Sequence, residues 1–299
     1  MSRSPAKRES AGPILRATAS TALAMIAFAG NSILCRLALK QQAIDPASFT
    51  AIRLIAGALT LVLIVQLVHR RERNRSGGGW LSALALFLYA VFFSFAYVDL
   101  DAASGALILF GFVQATMIGA ALAAGDRPGP FEWGGWLAAA SGLVLLLLPG
   151  ARAPSPAGAA LMATAGVAWG VYSIRGRRES RPLTATAGNF TRSLVFVLPV
   201  LVLARGALHT SPSGAVLAAV SGAVTSGIGY VLWYAALSFL TAMQAALVQL
   251  SAPALAAAGG VLLLSEPLSP RLVVCGSMIL GGIALALVRR QRRQAPGRL

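Results

Sequence analysis

Residues able to do chemistry are few in this chain, and they stand far apart. Asn31, Gln114 and Gln249 carry amides inside long apolar stretches. An amide offers two N–H donors and an acceptor, enough to hold an amino or carboxyl group or to bond a neighbouring helix. Tyr89, Phe112, Trp169 and Tyr230 fall at intermediate depth in four different apolar stretches. Aromatic walls with a few polar groups are how proteins hold small organic solutes, although any single aromatic also serves as packing. Arg53 and Arg192 lie inside apolar stretches as well. They suit either a solute carboxylate or a structural job, such as capping a carbonyl end or snorkelling.

The carboxylates are informative by position. Asp45, Asp99, Asp101, Asp126, Glu132 and Glu266 stand at the ends of apolar stretches or between them, and Glu9, Glu72 and Glu179 in polar segments. None is near the middle of a stretch, nor are His69 and His209. Paired acids, a His–Asp set and metal-ligand spacing are all missing, so enzyme chemistry, a metal and a cofactor have no evident residues. Cys35 and Cys275 lie in apolar stretches without disulfide or metal spacing and read as small buried residues.

What must position these residues follows from composition. Charged residues make up 11% of the 299, against roughly 25% in soluble domains, and 57% are hydrophobic. A soluble core of this size cannot hide that much apolar surface. Ten apolar stretches are each long enough for a spanning helix of ~20 residues. They are predicted at 17–39, 47–69, 79–98, 102–124, 131–149, 156–174, 184–204, 213–237, 241–263 and 270–288. The stretches are continuous rather than alternating. Lipid offers no partner for free backbone groups, so these are helices. The expectation is an all-α polytopic membrane protein with ten transmembrane helices.

The net charge of +16 then acquires a meaning. With the N-terminus inside, the inner face collects Arg3, Lys7, Arg8, Arg16, the arginines at 70, 71, 73 and 75, Arg127, Arg175, Arg177, Arg178, Arg181 and the five tail arginines from Arg289 to Arg298. The outer face has Lys40, Arg152, Arg205 and Arg271. This asymmetry is the positive-inside rule and puts both termini in the cytoplasm. Positives spread over every inner loop, without a DNA-binding motif, speak against nucleic acid. Ala27-Phe28-Ala29 before Gly30 imitates a secretory cleavage site, but the apolar run continues to Leu39, so the first span is expected to be retained.

The chain also repeats itself. A shift of 139 residues pairs Arg36 with Arg175, Arg53 with Arg192 and Ser82 with Ser221. A shift of 140 pairs Asp126 with Glu266, Pro130 with Pro270 and Gly142 with Gly282. Five spans per copy is an odd number, so the second copy is inserted upside down, as in transporters built from inverted repeats. The expected divisions are a cytoplasmic tail 1–16, a first repeat 17–149, a second repeat 156–288 and a basic cytoplasmic tail 289–299.

Several segments carry a family resemblance. They are Ala29-Gly30-Asn31 leading to Arg36, Ala168-Trp169-Gly170 leading to Arg175, Ser265-Glu266-Pro267-Leu268, Gly281-Gly282 and the Arg-rich tail. With the five-plus-five repeat, they resemble the EamA-domain branch of the drug/metabolite transporter superfamily over about residues 17–290. Within it, the overall pattern, Trp169 and Phe112 look most like exporters of the YddG type. The resemblance implies export of aromatic and other neutral amino acids, or similar small metabolites, across a bacterial-type inner membrane by alternating access. It implies no cofactor, a small-molecule substrate and the lipid bilayer as partners, and a monomer or homodimer. Multidrug or cationic-compound efflux is the alternative within the fold. A buried acid for proton coupling is missing, which favours facilitated exit of a neutral or zwitterionic solute. Asn31, Tyr89, Phe112, Gln114, Trp169, Tyr230 and Gln249 are the expected substrate-binding residues.

Small residues and prolines complete the set. Gly166 and Gly170 form a close-packing motif, and Gly222, Gly227 and Gly229 loosen the eighth span. Pro199 and Pro253 each remove a backbone bond and should kink spans seven and nine. With Arg53 and Arg192, Gly166, Gly170, Gly227 and Pro253 are the expected structural or gating positions. Tyr97, Trp80 and Trp133 near span ends are expected in the interfacial belt.

Overall fold

The computed structural model describes residues 11–68, 77–125, 127–150, 153–177, 179–237, 239–240, 245 and 248–294, with side chains from 16 to 288. Outside these lie the expected N-terminal tail with Arg3, Lys7, Arg8 and Glu9, then His69, the arginines 70, 71, 73 and 75, and Glu72. Asp126, Arg152, Arg178 and the side chains of the C-terminal arginines also lie outside.

The described chain is helical almost throughout. The first repeat forms α1 (Ala11–Lys40), α2 (Pro46–Val68), α3 (Trp80–Ala96), α4 (Ala102–Ala123) and α5 (Pro130–Leu147). The second forms α6 (Pro156–Gly176), α7 (Pro182–Ser193), α8 (Val197–Leu203), α9 (Pro212–Val220), α10 (Gly229–Leu237), α11 (Ser251–Leu264) and α12 (Pro270–Gln294). Proline opens six of these helices. Its missing N–H costs nothing in a first turn and its φ is already helical. Side chains of Asp101, Ser155 and Ser211 cap the next elements by accepting from the backbone N–H three residues on.

Among the described residues, eight helical segments are long and apolar enough to cross a membrane. The third and ninth expected spans are shorter apolar helices, Trp80–Ala96 and Ser251–Leu264. Two expected spans contain a change of helix type. A 3-10 turn, Leu194–Phe196, joins α7 to α8. Pro199 just beyond it has no N–H for the Val195 carbonyl, which accounts for the tightened turn. Between α9 and α10, Ser221–Ile228 winds as a π-helix. Pro253 does not kink a continuous span: a turn at Leu250 precedes α11, and Pro253 sits in the first turn of that helix.

Helix pairs approach closely where glycine removes the side chain. α5 and α12 run antiparallel, with Gly135 on Gly282 and Gly142 on Cys275. A shift of 140 residues exchanges those two contacts, so the pair relates the repeats to each other. The remaining packing follows the same exchange: α3 lies on α6 as α1 lies on α10, and α4 on α6 as α1 on α11. Leucines such as Leu59, Leu198, Leu203, Leu262 and Leu263 point outward on the rim. In lipid that outward face is as well solvated as a core.

Candidate functional site

A cavity of about 430 Å³ opens between α4, α6, α10 and the segment before α11. It is lined by Gln114, Trp169, Tyr172, Arg177, Tyr230, Trp233, Tyr234 and Gln249, among others. Gly176 and Arg177 at the C-terminal end of α6 and Leu237 and Leu240 after α10 mark its mouth. A narrower inner chamber of about 30 Å³ continues from it, sharing Trp169, Tyr230 and Gln249. Phe28, Asn31, Ser32, Arg53, Tyr89, Phe93, Phe110, Thr225 and Ser226 line this inner end.

The wall is a connected set of rings. Trp169 stands 4.7 Å from Tyr89, 5.3 Å from Tyr172 and 5.5 Å from Tyr230, between centroids. Tyr230 also meets Phe28, Phe190 and Tyr234. Rings in contact hold one another in place, so the wall is preorganised by its own packing. Trp169 is held on α6 because Gly166 and Gly170 let that helix approach α4. A Cβ on Gly166 would lie 2.7 Å from the Leu109 carbonyl oxygen, and one on Gly170 2.7 Å from Thr116.

The inner end carries a polar network spanning both repeats. Ser221 donates to Asn31 at 2.7 Å, and Thr225 approaches the same oxygen at 3.3 Å. Asn31 donates to the Tyr89 hydroxyl at 3.2 Å, and Arg53 donates to it at 3.2 Å. Arg53 also donates to Ser226 at 3.3 Å. The π-helical winding and Gly222 bring Ser221, Thr225 and Ser226 close to α1 and α2, since a Cβ at Gly222 would overlap the Arg53 backbone. π-helical turns recur at functional sites because they re-aim side chains.

The opposite end is closed. Arg36 pairs with Glu266 at 3.1 Å and donates to the carbonyls of Tyr97 and Val98. Glu266 accepts from the Ala102 backbone at 2.8 Å, and Lys40 donates to the Leu264 carbonyl at 2.8 Å. Nearby, Ile44 and Thr210 form an antiparallel bridge between the α1–α2 and α8–α9 links. Asp45 caps α2 through Ala47 and Ser48 and accepts from the His209 N–H. Burial works to raise the Asp45 carboxyl, but the hydrogen bonds from Ser48, His209 and Ala47 outweigh it and hold it below the ordinary range.

Of the expected binding residues, the structure brings Asn31, Tyr89, Gln114, Trp169, Tyr230 and Gln249 to this cavity. Phe112 is not among its lining residues. It packs beside Gly166 at the α4–α6 contact, and Phe110, two residues earlier, lines the inner end instead. Arg53 and Arg192, equivalent in sequence, do different things. Arg192 donates to the Gly77 carbonyl at 2.7 Å, whereas Arg53 lines the cavity. Gly227 meets Thr60 on α2. Tyr97 is fully buried, over Gly105, and is not a belt residue, while Trp80 and Trp133 are exposed. Phe28 and Phe93 carried no sequence signal, because nothing among apolar residues marks the inward face, whereas Thr225 and Ser226 form with Ser221 a polar cluster in the eighth apolar stretch that could have been read.

A helical bundle of two repeats around a cavity that is open at one end and tied shut at the other is the plan of a membrane carrier. The chain belongs to the EamA-like transporter family, whose model matches residues 16–148 and again 156–288. It is 52% identical over 283 residues to the uncharacterized protein PA1977 of Pseudomonas aeruginosa, covering 95% of this chain and 98% of that protein. A solved crystal structure superposes with a TM-score of 0.63 at 21% identity, covering 92% of this chain and 99% of the other. That likeness concerns the fold alone.

Proposed function

We propose that this transporter exports amino acids, aromatic and other neutral ones, or similar small metabolites across a bacterial inner membrane. The observation that carries the reading is the ring-walled cavity, entered from one end and sealed at the other by bonds between the repeats. About 430 Å³ lies in the range of small-molecule sites, and rings around a few amides suit a small aromatic solute. Asn31, Tyr89, Gln114, Trp169, Tyr230 and Gln249 are its proposed contacts.

The proposed topology has ten spans in two inverted repeats, with both termini cytoplasmic. The mouth lies at the end of the bundle holding Arg175, Arg177 and Arg181, which the positive-inside rule assigns to the cytoplasm. The described conformation then loads from inside. Exchange of conformation between the repeats would break the Arg36–Glu266 end and close the mouth. Among the described residues the cavity lining contains no Asp or Glu, which supports facilitated exit and disfavours cationic drugs.

Counterflow in proteoliposomes holding only this protein, with labelled amino acids and with or without a pH step, tests the reading. Exchange of aromatic amino acids that does not need the pH step is expected. Lack of exchange across a broad amino-acid panel would overturn the reading.

A further inference from the structure

Arg53 is the charge that the transport reading leaves unused. Its side chain sits at the inner end of the cavity, with the residue 3% exposed. Its contacts are all neutral: Ser226 and Tyr89 by hydrogen bond, and the rings of Tyr89 and Phe93 at 5.2 and 5.0 Å from the guanidinium carbon. Those rings cover a face of the guanidinium and leave its hydrogen-bonding edge available. On that edge one terminal nitrogen, Nη1, is buried and has no partner. An arginine keeps its charge when buried, so such a group calls for an anion.

Tyr89 adds a second donor at the same place. Its hydroxyl oxygen accepts from both Arg53 and Asn31, which leaves its own proton for another acceptor. Further out, the Gln114 side-chain nitrogen is also buried without a partner. The chamber at Arg53 is about 30 Å³ and the ring-walled chamber beyond it about 430 Å³. A small head group fits the first and an aromatic or apolar body the second. Guanidinium and carboxylate match in charge and in planar geometry.

We infer that Arg53 and Tyr89 form a carboxylate subsite, and that the solute is a small monocarboxylate with an aromatic or apolar body, held without an acidic partner for an amino group. The inference rests on the transport reading and narrows it. The described lining has nothing anionic to take an ammonium, so an α-amino group is dispensable and the carboxylate is not.

The test uses the full-length protein in proteoliposomes and in detergent, with four probes: phenylalanine, 3-phenylpropionate, 3-phenylpropanamide and phenethylamine. Exchange is followed in the first preparation and Trp169-dependent fluorescence in the second. The two carboxylates are expected to exchange and to change the fluorescence, and the amide and amine to do neither. Arg53→Gln should weaken carboxylate binding about tenfold or more, with Arg53→Lys between it and the parent. Tyr89→Phe, which keeps the ring, should weaken binding by a smaller factor. Amide or amine handled as well as the carboxylates would overturn the inference while leaving transport intact. So would an unchanged carboxylate preference in folded Arg53→Gln or Arg53→Lys protein. Carboxylate binding that depends on Arg53 without any exchange would support the subsite and remove the transport reading. No carboxylate binding at all would overturn the subsite.

Discussion

Arg36 and Glu266, 230 residues apart, meet at 3.1 Å and tie the first repeat to the second at the closed end of the cavity. Each has further bonds: Arg36 to two carbonyls after α3, Glu266 to the first N–H of α4. The ends of α1, α3 and α11 and the start of α4 therefore separate together or not at all. A charged hydrogen bond of this kind is worth roughly 1.5–3 kcal/mol, enough to shift a closed-to-open ratio about tenfold or more.

Glu266→Gln removes the charge and keeps the shape. It is expected to favour opening at this end. With Cys35 and Cys275 replaced by alanine and Ser32→Cys as reporter in the inner chamber, an impermeant thiol reagent should label the parent mainly from the mouth end. The Glu266→Gln protein should label from the other end as well. Identical labelling in both would show that the pair does not hold the end shut.

Trp169 touches Tyr89, Tyr172 and Tyr230 and belongs to both chambers. Ring pairs contribute about 0.5–1.5 kcal/mol each. Trp169→Ala is expected to raise the half-saturating solute concentration about tenfold or more in counterflow. Asn31→Ala, which breaks the links from α1 to Ser221 and Tyr89, should reduce transport too. Unchanged exchange in both variants would move the site elsewhere.

Gly166 faces backbone across the α4–α6 contact, 2.7 Å from where a Cβ would stand. Neither Leu109 nor its helix can move aside without displacing neighbours. Gly166→Ala should cost about 1–3 kcal/mol, the usual penalty of overpacking, and Gly166→Leu more. Thermal unfolding in detergent measures it, and a melting temperature unchanged by Leu at this position would refute the close contact.

Asp45 predicts a pH dependence. Its folded pKa lies below that of an unfolded carboxyl, ~3.9, so its contribution is fully present above that value. It is lost as the pH falls through the lowered folded value. Asp45→Ala should lower stability by about 1 kcal/mol at neutral pH, the worth of a helix cap. The gap between parent and variant should close at acid pH. Melting curves from pH 7 downward follow it, and a gap that widens on acidification would contradict the assignment.

Much of the helical architecture is legible in the sequence. The inner segment boundaries fell within a few residues of the helices because a span must satisfy its own backbone and end in polar or proline-rich links, whereas α1 already begins at Ala11 and α12 runs on to Gln294. The ninth was the exception: its helix re-forms at Ser251, where a proline is harmless. Tyr89, Trp169 and Tyr230, singled out by their depth, line the cavity. Phe112 was not separable from Phe110 in the same way. In a helix apolar on every side, no stripe tells the cavity from a neighbour or from lipid.

The sequence by itself determined the helical class, the repeat, the uneven spread of arginine among the links and the lack of acids near the middle of any apolar stretch. These follow from composition and order along the chain. Only the tertiary structure decided that Arg53 faces a cavity while its counterpart Arg192 caps the Gly77 carbonyl, and that Arg36 meets Glu266. Two copies of one pattern, folded into a single molecule open at one end, cannot occupy the same surroundings. The role of each residue is therefore set by which copy it belongs to and which end is closed.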